Sequence, residues 1–351
     1  MKKFNLEQFE FSQSFVYYYD KIERANYFLD LIIGTTTEPV EGRLIEHLLK
    51  DPIQDGGQWD MFVNLVLRYG LVPKSVYPDS HSSTSSRPLN WLLTVKLREF
   101  AKVLRETPKQ DQQQMKQKMM EDVYRIVTIS LGLPPSQFEW NFRDKDKKFH
   151  SFNLTPQSFY QMIEFPLEDY VSLIHDPRHS FNQLLTVKFL GNMSGMPGVK
   201  YINVDLETLK KSTISSLKAD EACWHGCDVG KHHDRTSGVL DIGLLDYERA
   251  FGINFNLSKK ERLEFGESIL SHAMLITGVH LQNEVPVRWR IENSWGEDKG
   301  KKGYLCMTDK WFDEYNFQVV LNKKYVPELV HLLDTEPLVL EPWDPLAHLA
   351  E

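Results

Sequence analysis

A chain of 351 residues with 41% apolar and 12% aromatic composition has ample material for one large packed core or two modest ones, so it is read as globular. Its 41 Lys and Arg against 49 Asp and Glu leave a formal charge of −8, which gives no global electrostatic reason to hold nucleic acid or anionic lipid. No window approaches the roughly eighteen uninterrupted apolar residues of a spanning helix, "MKKFNLEQFEFSQSF" lacks the apolar core of a signal peptide, and three cysteines make no disulfide framework, so the expected location is the cytoplasm.

Phe15, Tyr18, Ile22, Asn26 and Leu29 fall at three- and four-residue steps and predict an amphipathic helix from Ser14 to Ile33, capped by Ser12 or Ser14. After "DPIQDGG", the run from Gln58 to Tyr69 sets Trp59, Phe62, Val63, Val66 and Leu67 on one side and stops at Gly70. The small, polar "HSSTSSRP" from His81 to Pro88 reads as a loop. A long helical hairpin follows: Leu89, Leu93, Leu97, Phe100 and Leu104 line one helix, and Met115, Met119, Val123, Ile126 and Val127 line the next. The many Lys, Gln and Glu between these stripes suggest a projecting arm.

From Phe138 the character changes. "FEWNFRDKDKKFHSFNL" has the alternation of a β-hairpin, and Thr155-Pro156 opens a short capped helix. From Asp169 onward strands dominate ("DYVSLIH", "VKYINVDL", "AMLITGVHL", "VRWRIENSW", "GYLCM", "FQVVLN"), interrupted by helices after Asp205 and around Ser258 to Phe265. Helices first and antiparallel strands afterwards make the α+β pattern.

His272 heads one apolar run and Asn293 ends the next, 21 residues on. If the two runs pair through "QNEVP", both side chains meet at one end of a hairpin. That suits thiol chemistry: an imidazole takes the proton of a cysteine and later protonates the leaving amine, while an amide oxygen holds the ring in one tautomer. Trp295, next but one to Asn293, is placed to shield their hydrogen bond from water, and it is grouped with the substrate-binding residues. A rival lies in "ACWHGCDVGKHH", where Cys223, His225, Cys227, His232 and His233 crowd together as in a zinc site. Their spacing is not that of a usual finger or ribbon, so no metal and no cofactor is expected.

"ENSWGEDKGKKGYL" is similar to the asparagine region of papain-like cysteine peptidases and "SHAMLITGV" resembles their histidine strand. With "DGGQWDM" and "WHGCDVGKH", the whole chain resembles the bleomycin hydrolase family. The resemblance implies a papain-like two-lobe α+β fold, a helical lobe plus an antiparallel β-barrel lobe with an inserted helical arm. It also implies a cytosolic aminopeptidase acting on peptides and assembled as a hexameric ring, with neither nucleic acid nor membrane as partner. In that frame residues 1–85 are the remainder of the helical lobe, 86–135 the arm, 136–340 the β lobe and 341–351 a tail entering the active-site cleft. His272 matches the general base and Asn293 the orienting amide. Gly56 and Gly57 match a glycine pair beside extended substrate, and Glu351 ends a tail whose terminal carboxylate meets the substrate's α-ammonium group.

The family's nucleophile stands in a Gln-x-x-x-x-x-Cys-Trp pattern at the N-terminus of a central helix, and no such pattern occurs here. "KKFNLEQFEFSQS" matches the segment that follows that helix, so the resemblance implies an N-terminally truncated form lacking the catalytic cysteine. None of Cys223, Cys227 and Cys306 is expected to replace it. A catalytically dead subunit that joins an intact relative stands as the alternative.

Overall fold

The computed structural model describes residues 1–348, which form two compact units. The first comprises Met1–Asp55, Asp60–Leu167 and Phe189–Gly198; the second comprises Gly56–Trp59, Glu168–Lys188 and the chain from Val199 onward.

The first unit is built on α1 (Gln13–Gly34). Of the two candidate caps it is Ser12 that accepts the Phe15 N–H, at 3.0 Å. Next come α2 (Arg43–Lys50) and α3 (Trp59–Tyr69). Helix α3 ends at Gly70, whose φ of +76° suits glycine, and a Cβ there would lie 2.3 Å from the Pro156 backbone. The expected loop at His81 is instead a single helical turn, α4 (His81–Thr84), because Ser80 and Ser83 form a reciprocal capping box.

Helices α5 (Arg87–Glu106) and α6 (Gln112–Leu131) form the predicted hairpin, but not as a projecting arm. Leu93, Leu97, Leu104, Val123 and Val127 pack with Tyr18, Phe28, Leu29 and Ile32 of α1 into the core of this unit. The apolar stripe is wide enough to need a partner, and α1 supplies it. The hairpin β1 (Phe138–Arg143) and β2 (Phe149–Leu154) also belongs to this unit, not to the expected β lobe. Trp140 meets Phe4, Phe9 and Phe159 edge-on, and Phe159 lies on α7 (Pro156–Ile163). The 189–198 segment joins the unit through buried Asn192, whose Nδ2 donates to Asp20 and to the Met61 carbonyl.

The second unit is one eleven-stranded sheet. Its strands are β3 (Tyr170–Ile174), β4 (Gln183–Val187), β5 (Tyr201–Asn203), β6 (Cys223–Cys227), β7 (His233–Asp234), β8 (Val239–Leu240), β9 (His272–Gln282), β10 (Val285–Glu292), β11 (Tyr304–Thr308), β12 (Asn316–Asn322) and β13 (Leu338–Leu340). They run in the order β13-β4-β5-β3-β12-β6-β9-β10-β11-β8-β7. The pairing is mainly antiparallel, with parallel contacts only for β13/β4, β3/β5 and β11/β8 among the described residues. The helices are α8 (Leu206–Lys218), α9 (Tyr247–Phe251), α10 (Lys259–Glu264) and α11 (Asp309–Tyr315). Leu173, Ile202, Leu209, Cys223, Cys227, Ile276, Trp289, Phe312 and Val319 lie in the core.

The strand β6 lies between β12 and β9, and β9 turns into β10 through Asn283 and Glu284. Both residues have positive φ, 51° and 62°, the signature of a two-residue type I′ turn. The loop foreseen in "QNEVP" is therefore a tight hairpin. No helix among the described residues is long and apolar enough to cross a membrane.

Candidate active site

His272 is the first residue of β9, and its lead-in is anchored from β6. The Ser271 N–H donates to the Cys227 carbonyl at 3.0 Å. The Asp228 carboxylate accepts the Ser268 hydroxyl at 2.8 Å and the Ile269 N–H at 3.3 Å. Burial pushes the Asp228 carboxyl up, and these donors pull it back. The segment 268–271 thus enters the sheet in one conformation, which fixes where the imidazole starts.

Asn293 follows β10, and its N–H donates to the Gly303 carbonyl at 3.0 Å. The intervening loop doubles back on itself, which requires Gly300. There φ is +58°, and a Cβ would lie 2.3 Å from the Tyr304 carbonyl oxygen.

Register then does the rest. Leu275 pairs with Glu292 across the hairpin, so the start of β9 and the residue after β10 share one end of the ladder. His272 Nε2 lies 3.0 Å from Asn293 Oδ1. The same Oδ1 accepts the Ser294 backbone N–H at 2.8 Å, and only an oxygen accepts there. The amide orientation is therefore set independently of the histidine, and His272 Nε2 is the donor. In the neutral ring the basic lone pair then belongs to Nδ1. His272 is 5% exposed, a setting in which a hydrogen bond to the ring is little contested by water.

Trp295 covers this pair: its ring centroid is 4.8 Å from that of His272, at an interplanar angle of 34°. The far neighbours of Trp295 were not foreseen in the sequence. His233 stacks on it at 6.0 Å, and the Arg235 guanidinium sits 5.7 Å from its centroid. Both come from a short edge strand and its turn, where period-2 patterning is too brief to register.

Cys227 is the direct register partner of His272 across β6 and β9. It is nonetheless fully buried, and burial followed by the Asp228 charge pushes its thiol well above the ordinary cysteine range. Such a thiol is the opposite of an activated nucleophile. Burial likewise pushes Cys223 up to about 11. Cys306 is half-buried on β11 and pairs in register with Arg290 of β10.

The zinc alternative finds no assembled ligand set. Cys223 and Cys227 lie in the apolar core, and His225 Nδ1 is 2.7 Å from Asn316 Oδ1. His232 packs near Tyr315 and His233 on Trp295. No group of three or more such ligands is gathered among the described residues. His225 and Asn316 form a second, fully buried His–Asn pair that the sequence reading missed, and burial pushes that imidazole down to about 4.

Gly56 is buried and Gly57 forms an isolated β-bridge just before α3. Just before the glycine pair, the Asp55 carboxylate takes Lys21 Nζ at 2.7 Å and the hydroxyls of Tyr17 and Ser86 at 3.0 and 2.6 Å. Next to the glycine pair, Gln58 Nε2 donates to the His348 carbonyl at 3.0 Å. The same C-terminal segment accepts the Leu270 N–H at Pro345, 3.1 Å, and pairs Asp344 with Arg178 at 2.8 Å. The tail therefore passes both the glycine pair and the lead-in to His272. Glu351 lies outside the described residues.

The sequence profile of the Peptidase C1-like family matches residues 1–347. Bleomycin hydrolase of Mus musculus is 46% identical over 369 residues, covering 100% of this chain and 81% of its own length. Aminopeptidase C of Listeria innocua is 43% identical over 352 residues, covering 98% of this chain and 80% of its own. The crystal structure of PepW from Lactobacillus rhamnosis HN001 superimposes with a TM-score of 0.96 at 41% identity, over 99% of this chain and 81% of that one.

Proposed function

Because the chain belongs to the peptidase C1-like family, with bleomycin hydrolases and C aminopeptidases as its relatives, we propose that it carries the general base and orienting amide of a cysteine aminopeptidase. The observation that carries the reading is the His272–Asn293 hydrogen bond, with the amide oriented by the Ser294 N–H.

In this reading His272 Nδ1 accepts a proton from a cysteine thiol and the imidazolium returns it to the leaving amine. Asn293 keeps the ring in the tautomer that makes Nδ1 basic, and Trp295 screens their bond from water. The thiolate comes from outside residues 1–351, since Cys227, the cysteine in register with His272, is buried and hard to ionise. The chain by itself is then inactive. Substrate extends along Gly56 and Gly57, beside the tail that touches Gln58 and Leu270, and Glu351, outside the described residues, is the candidate partner of the substrate's α-ammonium group. That charge pairing restricts cleavage to the first peptide bond. Three free cysteines fit the reducing cytoplasm, and assembly follows the hexameric ring that the resemblance implies.

The test is hydrolysis of an aminoacyl reporter by the 351-residue chain and by a form preceded by the family's Gln-to-Cys-Trp helix. Activity is expected only in the extended form. It should drop at least about 10²-fold in His272→Ala and be unchanged in Cys227→Ala. Hydrolysis by the 351-residue chain that disappears in Cys227→Ala would overturn the assignment of the thiol. The burial of Cys227, the cysteine in register with His272, also favours a second reading, a subunit without catalysis of its own. An extended form that stays inactive while the chain co-purifies with an active relative would establish it.

A further inference from the structure

The outward face of β9, β10 and β11 forms a groove of about 760 Å³ away from the His272–Asn293 pair. Strand alternation sends Trp289 and Ile291 inward to the core and Arg288 and Arg290 outward. Lys301 and Lys302, from the loop before β11, enter the same groove, and His280 faces it from β9. Position 278 is glycine and leaves the groove floor low beside Arg290.

These cations are unusual for a chain of net charge −8. Arg288, Arg290, Lys301 and Lys302 have no carboxylate within ion-pair distance among the described residues, whereas neighbouring Lys299 pairs with Asp298 and Lys218 with Glu284. The nearby acids are otherwise occupied: Glu292 accepts the Tyr304 hydroxyl and Asp234 accepts Ser237. Four like charges on one concave surface repel one another, so the arrangement asks for a multiply charged anion.

Arg290 is also held in place. Its guanidinium lies 3.8 Å from the centroid of the Tyr304 ring, which fixes its plane and leaves its edge donors for a ligand. Arg288 and Arg290 are two residues apart on one strand face, hence about 7 Å apart, a span that two linked phosphates bridge and one carboxylate does not. We propose that this groove binds a small ligand carrying two or more phosphate groups. The proposal does not rest on the peptidase reading.

Cys306 lines the groove and is half-buried, while Cys223 and Cys227 are buried, so alkylation of Cys306 reports occupancy. With the 351-residue chain in about 150 mM salt, tripolyphosphate should slow Cys306 alkylation, and calorimetry should show binding independently of the thiol. Orthophosphate should need about a tenfold higher concentration. Arg288→Gln/Arg290→Gln, both exposed and remote from the core, should weaken tripolyphosphate at least about tenfold without moving Tm, and Lys301→Gln/Lys302→Gln about threefold. Adenosine triphosphate distinguishes the sources: tighter binding than tripolyphosphate identifies a nucleotide, weaker binding a free polyphosphate. No calorimetric binding of tripolyphosphate, or equal binding by the double arginine variant, overturns the proposal. Tighter binding of oligoglutamate or of a single-stranded oligonucleotide overturns it in favour of an acidic peptide or a nucleic acid.

Discussion

At the scale of residues, the site depends on one oxygen atom. Asn293 Oδ1 takes both the Ser294 N–H and His272 Nε2, and this double acceptance chooses the imidazole tautomer. Replacing Asn293 by Ala removes the acceptor that holds His272 Nε2 as the donor and so selects the ring tautomer. In the form preceded by the family's Gln-to-Cys-Trp helix we expect kcat to fall about 10²-fold with KM nearly unchanged, because orientation and not substrate contact is lost. Steady-state kinetics on an aminoacyl reporter checks this, and an unchanged kcat would remove Asn293 from the mechanism. His272, Asn293 and Trp295 were all legible as a pattern in the sequence. Asp228, which pins the approach to His272, was not, because a buried aspartate holding two donors has no local spacing that marks it.

Among elements, the β9–β10 hairpin was readable from alternation and the helices from periodicity, and the structure differs mainly in what they pack against. The α5–α6 pair was expected to project because its exposed faces are so polar. Its apolar stripe is instead completed by α1. Leu97 is fully buried in that contact, while Trp91 on the same helix is 68% exposed. Leu97→Ala should therefore cost about 2–5 kcal/mol, and Trp91→Ser should stay within about 0.5 kcal/mol of the parent. Denaturant titration of the two variants separates an integrated hairpin from a projecting one: equal, small effects would favour the arm.

For the whole molecule, two buried histidines contribute to the loss of stability in acid. Burial pushes His225 down to about 4, and burial followed by the Lys259 charge does the same to His175. Unfolded, both protonate near the ordinary value of about 6.5, so the unfolded state binds more protons between pH 6.5 and 4, and stability falls as pH falls through that window. Each contributes on the order of 3 kcal/mol at most, against a net stability of about 5–15 kcal/mol. Asp228 and Asp313, whose carboxyls burial raises, act in the opposite direction. Tm measured across this range should drop steadily for the parent and less steeply for His225→Gln; parallel curves would show that His225 does not govern the loss.

The amino-acid sequence alone determined the longer helices and the main strands in their order, the residue types of the His–Asn pair and the connection that joins their strands, because periodicity, capping and turn chemistry act over a few residues. Only the tertiary structure decided that Cys227 faces His272 yet lies too deep to ionise, that His225 pairs with Asn316, and that four cations share one groove. These depend on strand order and burial between residues far apart in the chain, where desolvation and not local pattern determines what each side chain can do.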